Sequence, residues 1–244
     1  MECQTLNLNP QFLYTQNISL QPKNLKLLKT TSLSSSNNPN DQQLVSTATI
    51  NQTQIPKTQA YNVKFKTLGA CKLGISRYPD FDYNADGGAG SGKATEVSDG
   101  QVSIEFDVKQ LYIPPLSTAT TKFLGLPLPP FLKIDIVPGS FRGAINQESG
   151  KVDLKFSAKF CFSVGSLYKA QPLLVETVLT SEESKGKMRG GRGERLDKDG
   201  KCRLVGVATV EPINDVFMDT FLSLPAECLA NLNAVISFSS TEIE

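Results

Sequence analysis

The chain predicts a mainly β protein, either an antiparallel β-sandwich or a curved, partly open β-barrel, with one or two short helices near the C-terminus. Two observations carry this. Apolar and polar residues alternate with period two in several stretches after residue 60, as they do in strands with one wet face. Short turn signals separate these stretches, giving about eight strands in all.

In chain order, Tyr61, Val63 and Phe65 alternate with Asn62, Lys64 and Lys66. Val102, Ile104, Phe106 and Val108 alternate with Ser103, Glu105, Asp107 and Lys109, an antiparallel strand with a wet face. The longest run is 152–164, with Val152, Leu154, Phe156, Ala158, Phe160, Phe162 and Val164 on one side. At about 3.3 Å per residue it spans roughly 40 Å, enough to bend across a curved sheet or barrel. The turn at 146–150 joins it to a strand at 140–145. Further strands are expected at 173–180, 188–196 and 202–210, with 197–200 as a hairpin turn. Two helices are expected, one capped by Asn214 and carrying Val216, Phe217, Phe221 and Leu222, the other at 226–232 behind Pro225.

Composition removes whole classes of function. The 244 residues hold 25 Lys plus Arg, 24 Asp plus Glu and no His. A net charge of +1 argues against a dedicated nucleic-acid binder. Without His, the chain alone builds no Ser-His-Asp triad and no His-ligated zinc or haem site. Cys71, Cys161, Cys202 and Cys228 lie far apart with no C-x-x-C, and read as buried free thiols. Residues 1–59 are rich in Ser, Thr, Asn and Gln, lack Gly, and contain only Glu2 and Asp41 as acids. They are expected to be disordered, with the composition of a plastid transit peptide except that they lack Arg, and the polar run at 32–43 equally fits a plain disordered tail. Residues 60–244 are expected to form one β-rich domain. The longest apolar stretch, 124–132, is broken by three prolines, so no transmembrane segment is expected.

Five constellations are candidates for chemistry. Asp82, Asn84 and Asp86, followed by Gly87, have the spacing that opens a calcium loop, but the twelfth position is Lys93 rather than Glu, and an Asx-rich turn accounts for them better. Residues 87–93 match part of a phosphate-cradling loop, yet Ala94 replaces the needed Ser or Thr, so a flexible surface loop is expected and no cofactor is predicted. Lys185, Lys187, Arg189, Arg192 and Arg195 form a basic run suited to an anion or a membrane surface, diluted by Glu182, Glu183 and Glu194. Glu105 and Asp107 share one strand face, where alternating charges are ordinary. Leu116, Phe123, Leu124, Leu126, Leu128 and Phe131 lie among prolines that cannot donate ladder hydrogen bonds. They either cover an open end of the sheet or present an apolar lip to a lipid, a pigment or a membrane-complex protein, with 217–224 as a second apolar wall.

The stretch 64–238 carries Leu68-Gly-Ala-Cys-Lys-Leu-Gly-Ile-Ser, Tyr78-Pro-Asp-Phe-Asp, Leu124-Gly-Leu-Pro-Leu-Pro-Pro and Leu204-Val-Gly-Val-Ala. In these it resembles uncharacterised proteins of plant plastids and cyanobacteria. The resemblance implies a chloroplast protein, stromal or thylakoid-associated, and carries over no functional residue. The expectation is a non-enzymatic plastid β-domain that binds an apolar partner. The alternative is a histidine-independent enzyme acting on a small hydrophobic substrate.

Overall fold

Alternation of large apolar and polar side chains builds most of the sheet. The structure, a computed structural model, describes residues 60–98 and 100–240. The expected leader at 1–59 lies outside the described residues. Strand β1 (Ala60–Thr67) buries Val63, Phe65 and Thr67 and is followed by β2 (Cys71–Ile75) and β3 (Phe81–Tyr83). A hairpin of β4 (Ala89–Ser98) and β5 (Gln101–Phe106) comes next, then the small hairpin of β6 (Thr121–Phe123) and β7 (Leu126–Pro127). The long strands β8 (Leu132–Asn146) and β9 (Val152–Val164) lead to β10 (Tyr168–Lys169) and β11 (Leu173–Thr180). The ribbon of β12 (Glu183–Lys185) and β13 (Gly190–Arg192) precedes β14 (Lys201–Val210), helix α1 (Val216–Leu222) and β15 (Ala226–Ser240).

The pairing is antiparallel throughout and runs in a ring, β1-β4-β5-β8-β9-β11-β14-β15 and back to β1. Strand β15 is long enough to take two partners end to end on one edge. Its residues 234–240 pair with β1, and residues 228–231 pair with β2, from which β3, β6 and β7 continue the sheet. The barrel therefore has two tiers. In the first, Phe65, Phe106 and Phe141 pack with centroids 4.7–5.8 Å apart among Ile104, Ile145, Leu154, Leu204 and Ile236. In the second, Cys71, Tyr83, Ala85, Leu116 and Leu128 form one cluster, while Phe162, Leu173, Val210, Met218 and Leu222 form another beneath α1.

The expected β class is the observed one, and β9 and β11 match their expected spans. Asn146 Oδ1 accepts the Ser149 N–H at 2.7 Å and so stabilises the turn between β8 and β9. Four local expectations are corrected. The glycine-rich segment after Gly88 is a ring strand, β4, not a flexible loop. Its Gly92 is required because a Cβ there would meet the Phe106 Cα at 2.7 Å, so glycine lets β4 lie close to β5. Residues 226–232 are strand, not helix: β14 on one edge and β2 on the other overrule the helix propensity of Ala and Leu. Asp215, not Asn214, caps α1, accepting the Phe217 and Met218 N–H groups at 3.1 and 3.0 Å. The strand expected at 188–196 shrinks to β13, because 186–189 is the turn of a ribbon lying outside β14 and β15.

Candidate functional site

Three prolines end ladder pairing near one mouth of the barrel and turn its apolar residues into loops. Phe123 pairs with Leu126 across the β6–β7 hairpin, whose tip is Leu124-Gly125, and Pro127 is tolerated because β7 is the last strand of its path. Leu124 and Leu126 are each 70% exposed, and Phe131, just before β8, is 78% exposed. The Gly165 N–H donates to the Phe131 carbonyl at 2.9 Å, which sets the β9–β10 turn and its 91% exposed Leu167 beside Phe131. On the far side stands α1, with Val216 85% exposed and Phe217 and Phe221 about half exposed.

Aromatic contacts join several of these segments into a continuous chain. Tyr168 meets Phe217 at 5.3 Å, Phe217 stacks on Phe221 at 5.8 Å, and Phe221 meets Tyr78 at 5.8 Å. Tyr78 meets Phe123 at 6.4 Å, and Phe123 stacks on Phe81 at 4.7 Å. Two hydroxyls anchor the helix. Tyr78 donates to the Phe221 carbonyl at 2.6 Å, and Tyr168 donates to Asp215 at 2.6 Å. Desolvation and that bond push the Tyr168 phenol up to about 12, and the same bond, with the Met218 N–H, holds Asp215 below its usual carboxylate range. Both groups are therefore fixed in charge near neutral pH and serve to hold α1 over the mouth.

The expected lip splits in two. Leu116 and Leu128 are corrected to core residues, packed with Cys71, Tyr83 and Ala85, because the inward face of their segments claims them. Phe123 is half-buried in the aromatic chain, between Tyr78 and Phe81. Leu124, Leu126 and Phe131 stand out, joined by Leu167 and Val216, which the sequence reading had not linked to the lip. A large apolar residue in a Gly-Ser turn was the available signal for Leu167.

The other candidates disperse. Asp82 sits in β3 opposite Lys72 and Lys122, Asn84 Oδ1 accepts the Asp86 N–H at 3.1 Å, and Asp86 Oδ1 accepts the Gly87 N–H at 3.0 Å, so the loop's amide and carboxylate serve its own backbone. Among the described residues no three His, Cys, Asp or Glu side chains gather as metal ligands. Glu105 stands between Lys93 and Arg142 on neighbouring strands, while Asp107 accepts from the Lys109 N–H and the Gln110 amide.

The basic run is largely a structural latch. Glu227 accepts the backbone N–H groups of Lys187, Met188 and Arg189 at 2.6–2.9 Å, which holds its carboxyl below the usual range. The Arg189 side chain, 15% exposed, reaches across to the β2–β3 loop. It pairs with Asp80 at 2.5 Å and donates to the carbonyls of Ile75, Ser76 and Tyr78. Arg195 pairs with Glu182 at 2.6 Å. Lys185, Lys187 and Arg192 remain exposed, so Arg189 is withdrawn from any membrane contact of this run.

Inside the ring lies an apolar cavity of about 80 Å³, lined by Phe65, Leu73, Leu111, Ile136, Phe141, Phe156, Phe160, Val175, Leu179 and Leu232, among others. Tyr83 is the one titratable group among its described lining residues, and burial holds its phenol far above the usual value. No described helix is long and apolar enough to cross a membrane. No protein family, curated protein or solved structure matches the chain.

Proposed function

We propose that the chain is a non-enzymatic, cofactor-free binding domain that docks the apolar rim at the mouth of its barrel onto a lipid surface, with a plastid address. The observation that carries this is the gathering of Leu124, Leu126, Phe131, Leu167 and Val216, each at least 70% exposed, from four separate segments at one end. Side chains standing this free of the body form no pocket for a rigid partner to fill. A fluid hydrocarbon phase needs no matching shape, and each large side chain it takes from water contributes about 1.5–3 kcal/mol. The Ser/Thr-rich, acid-poor composition of residues 1–59 supports the plastid address. The rim is favoured over catalysis inside the barrel because, among the described residues, the cavity walls offer Tyr83 alone as a titratable group, and its hydroxyl is given to the Pro114 carbonyl.

The test is co-sedimentation of the full chain with phosphatidylcholine vesicles. Phe131→Ser with Leu167→Ser is expected to release the protein into the supernatant without changing its thermal unfolding. Equal sedimentation of the double variant and the parent would overturn the reading and move attention to a protein partner.

A further inference from the structure

We infer that the barrel interior is a second binding site, separate from the rim, which takes the hydrocarbon chain of a single-chain amphiphile entering through the seam between β11 and β14. Three features of the ring converge on this. The first is the chemistry of the cavity: each hydroxyl on its wall is already spent elsewhere. Thr67 donates to the Ala85 carbonyl at 2.5 Å, Thr177 to the Val207 carbonyl at 2.8 Å, and Tyr83 to the Pro114 carbonyl. A cavity so lined offers water no partner and stays dry, as apolar cavities do when they accept benzene or xenon. At about 80 Å³ it has about half the volume of the engineered cavity, about 150 Å³, that holds those ligands. That is room for the end of an alkyl chain without repacking, and more of the chain follows only if the walls part.

The second feature is where the walls can part. Seven of the ring's eight seams are ladders of at least five residue pairs, but β11 and β14 share the single pair Thr180 and Val205. Beyond that pair, side chains replace the ladder: Thr177 bonds the Val207 carbonyl, and the Val207 N–H donates to Ser184 Oγ at 3.1 Å. A Cβ on Gly206 would lie 2.8 Å from Thr177 Oγ1 and 2.9 Å from Leu179 Cδ2, so the β11 side chains fold over a bare stretch of β14 to shut the seam. Opening it costs side-chain contacts rather than a ladder of backbone hydrogen bonds.

The third is continuity. Val175, Thr177 and Leu179 are at once the seam residues of β11 and part of the cavity wall, so a chain passing the seam arrives in the cavity directly. On the outside, Leu174 and Val178 of β11 are about half exposed and give an entering alkyl chain an apolar lip.

The experiment uses the full chain and dodecanol, a neutral single-chain probe, read by native mass spectrometry and by the rate of uptake. One bound dodecanol per chain is expected, and absence of a stoichiometric complex would overturn the inference. Ala230→Leu, which fills the cavity, is expected to lower occupancy at least about tenfold; equal occupancy in a folded variant would overturn the site. Thr177→Cys with Gly206→Cys, oxidised, ties the seam and is expected to slow uptake by about tenfold, with recovery on reduction. Uptake at the parent rate by the oxidised form would overturn the route; where the bridge does not form, Thr177→Val, which removes the bond to the Val207 carbonyl across the seam, is expected to speed uptake, and an unchanged rate would overturn the route. Phe131→Ser with Leu167→Ser is expected to lose vesicles and still bind dodecanol, so failure of the rim and failure of the cavity give different results.

Discussion

Leu126 and Leu128 are separated by one proline and have opposite duties, so a paired substitution tests the division of the lip directly. Leu128 is 6% exposed and packs with Cys71, Tyr83, Ala85 and Leu116, while its N–H donates to the Thr121 carbonyl at 3.1 Å. Leu128→Ala removes buried methyl groups from a closed site and is expected to cost about 3 kcal/mol. For a domain of this size, each kcal/mol moves the midpoint by about 2–4 °C, so thermal unfolding followed by circular dichroism should shift down by about 6–12 °C. Leu126 is 70% exposed, and Leu126→Ala is expected to stay within about 0.5 kcal/mol of the parent. Vesicle partitioning should reverse the order. Loss of the exposed leucine forfeits about 2 kcal/mol of transfer, roughly thirtyfold in the partition coefficient, while Leu128→Ala, measured well below its midpoint, partitions as the parent does. Equal destabilisation by the two changes, or equal loss of partitioning, would refute the assignment of one leucine to the core and the other to the rim.

Three further outcomes are expected. Arg189→Ala strands Asp80 and three carbonyls and should lower the urea midpoint by the equivalent of about 2–4 kcal/mol, with little rescue by Lys, which lacks the planar fork. Glu227 is held below its ordinary 4.5 by three N–H donors, so its contribution is present above pH 4.5 and lost as pH falls through its lower folded value; amide exchange at residues 187–189 should accelerate on that acid side, and Glu227→Gln should remove the dependence. Burial raises Cys202 from 9.0 to about 12 and Cys228 to about 11, so their stabilisation is intact below pH 9 and is lost as pH rises from 9 towards those values. At pH 8 both should react with a disulfide reagent far more slowly in the native protein than in urea.

What the sequence made legible depended on side-chain size. Strands β5, β9 and β11 announce themselves because Val, Leu, Ile and Phe occupy their inward positions. Strands β4 and β15 do not, because several of their inward positions are filled by Gly92, Ala94, Ala226, Ala230 and Ala234, which are too small to mark an alternating apolar pattern. The first half of β8 is hidden for another reason. The bulge between Pro138 and Ser140 shifts the register, so Ile134 and Ile136 face inward on even numbers and Phe141 and Ile145 on odd ones. The lip was legible as a segment, but which of its residues were free was not, since that follows from tertiary packing. The Arg189 latch joins residues more than 100 positions apart and has no local signal at all.

The same prolines explain why apolar residues end up at the mouth. A strand that continued through 124–132 would bury alternate leucines and expose the rest on a flat edge, an invitation to pair with another chain. Pro127, Pro129 and Pro130 withhold the donors such pairing needs, so the segment stops as a two-residue strand and folds into loops. Leu128 is then drawn into the cluster beneath, while Leu124, Leu126 and Phe131 are left outside with no strand edge between them. Substituting Pro129 and Pro130 by Thr should therefore convert the exposed apolar rim into a strand edge, and self-association with gain of β-structure, measured by sedimentation and circular dichroism, is the expected result. Monomeric behaviour with parental vesicle binding would show that the loops hold their form through packing alone.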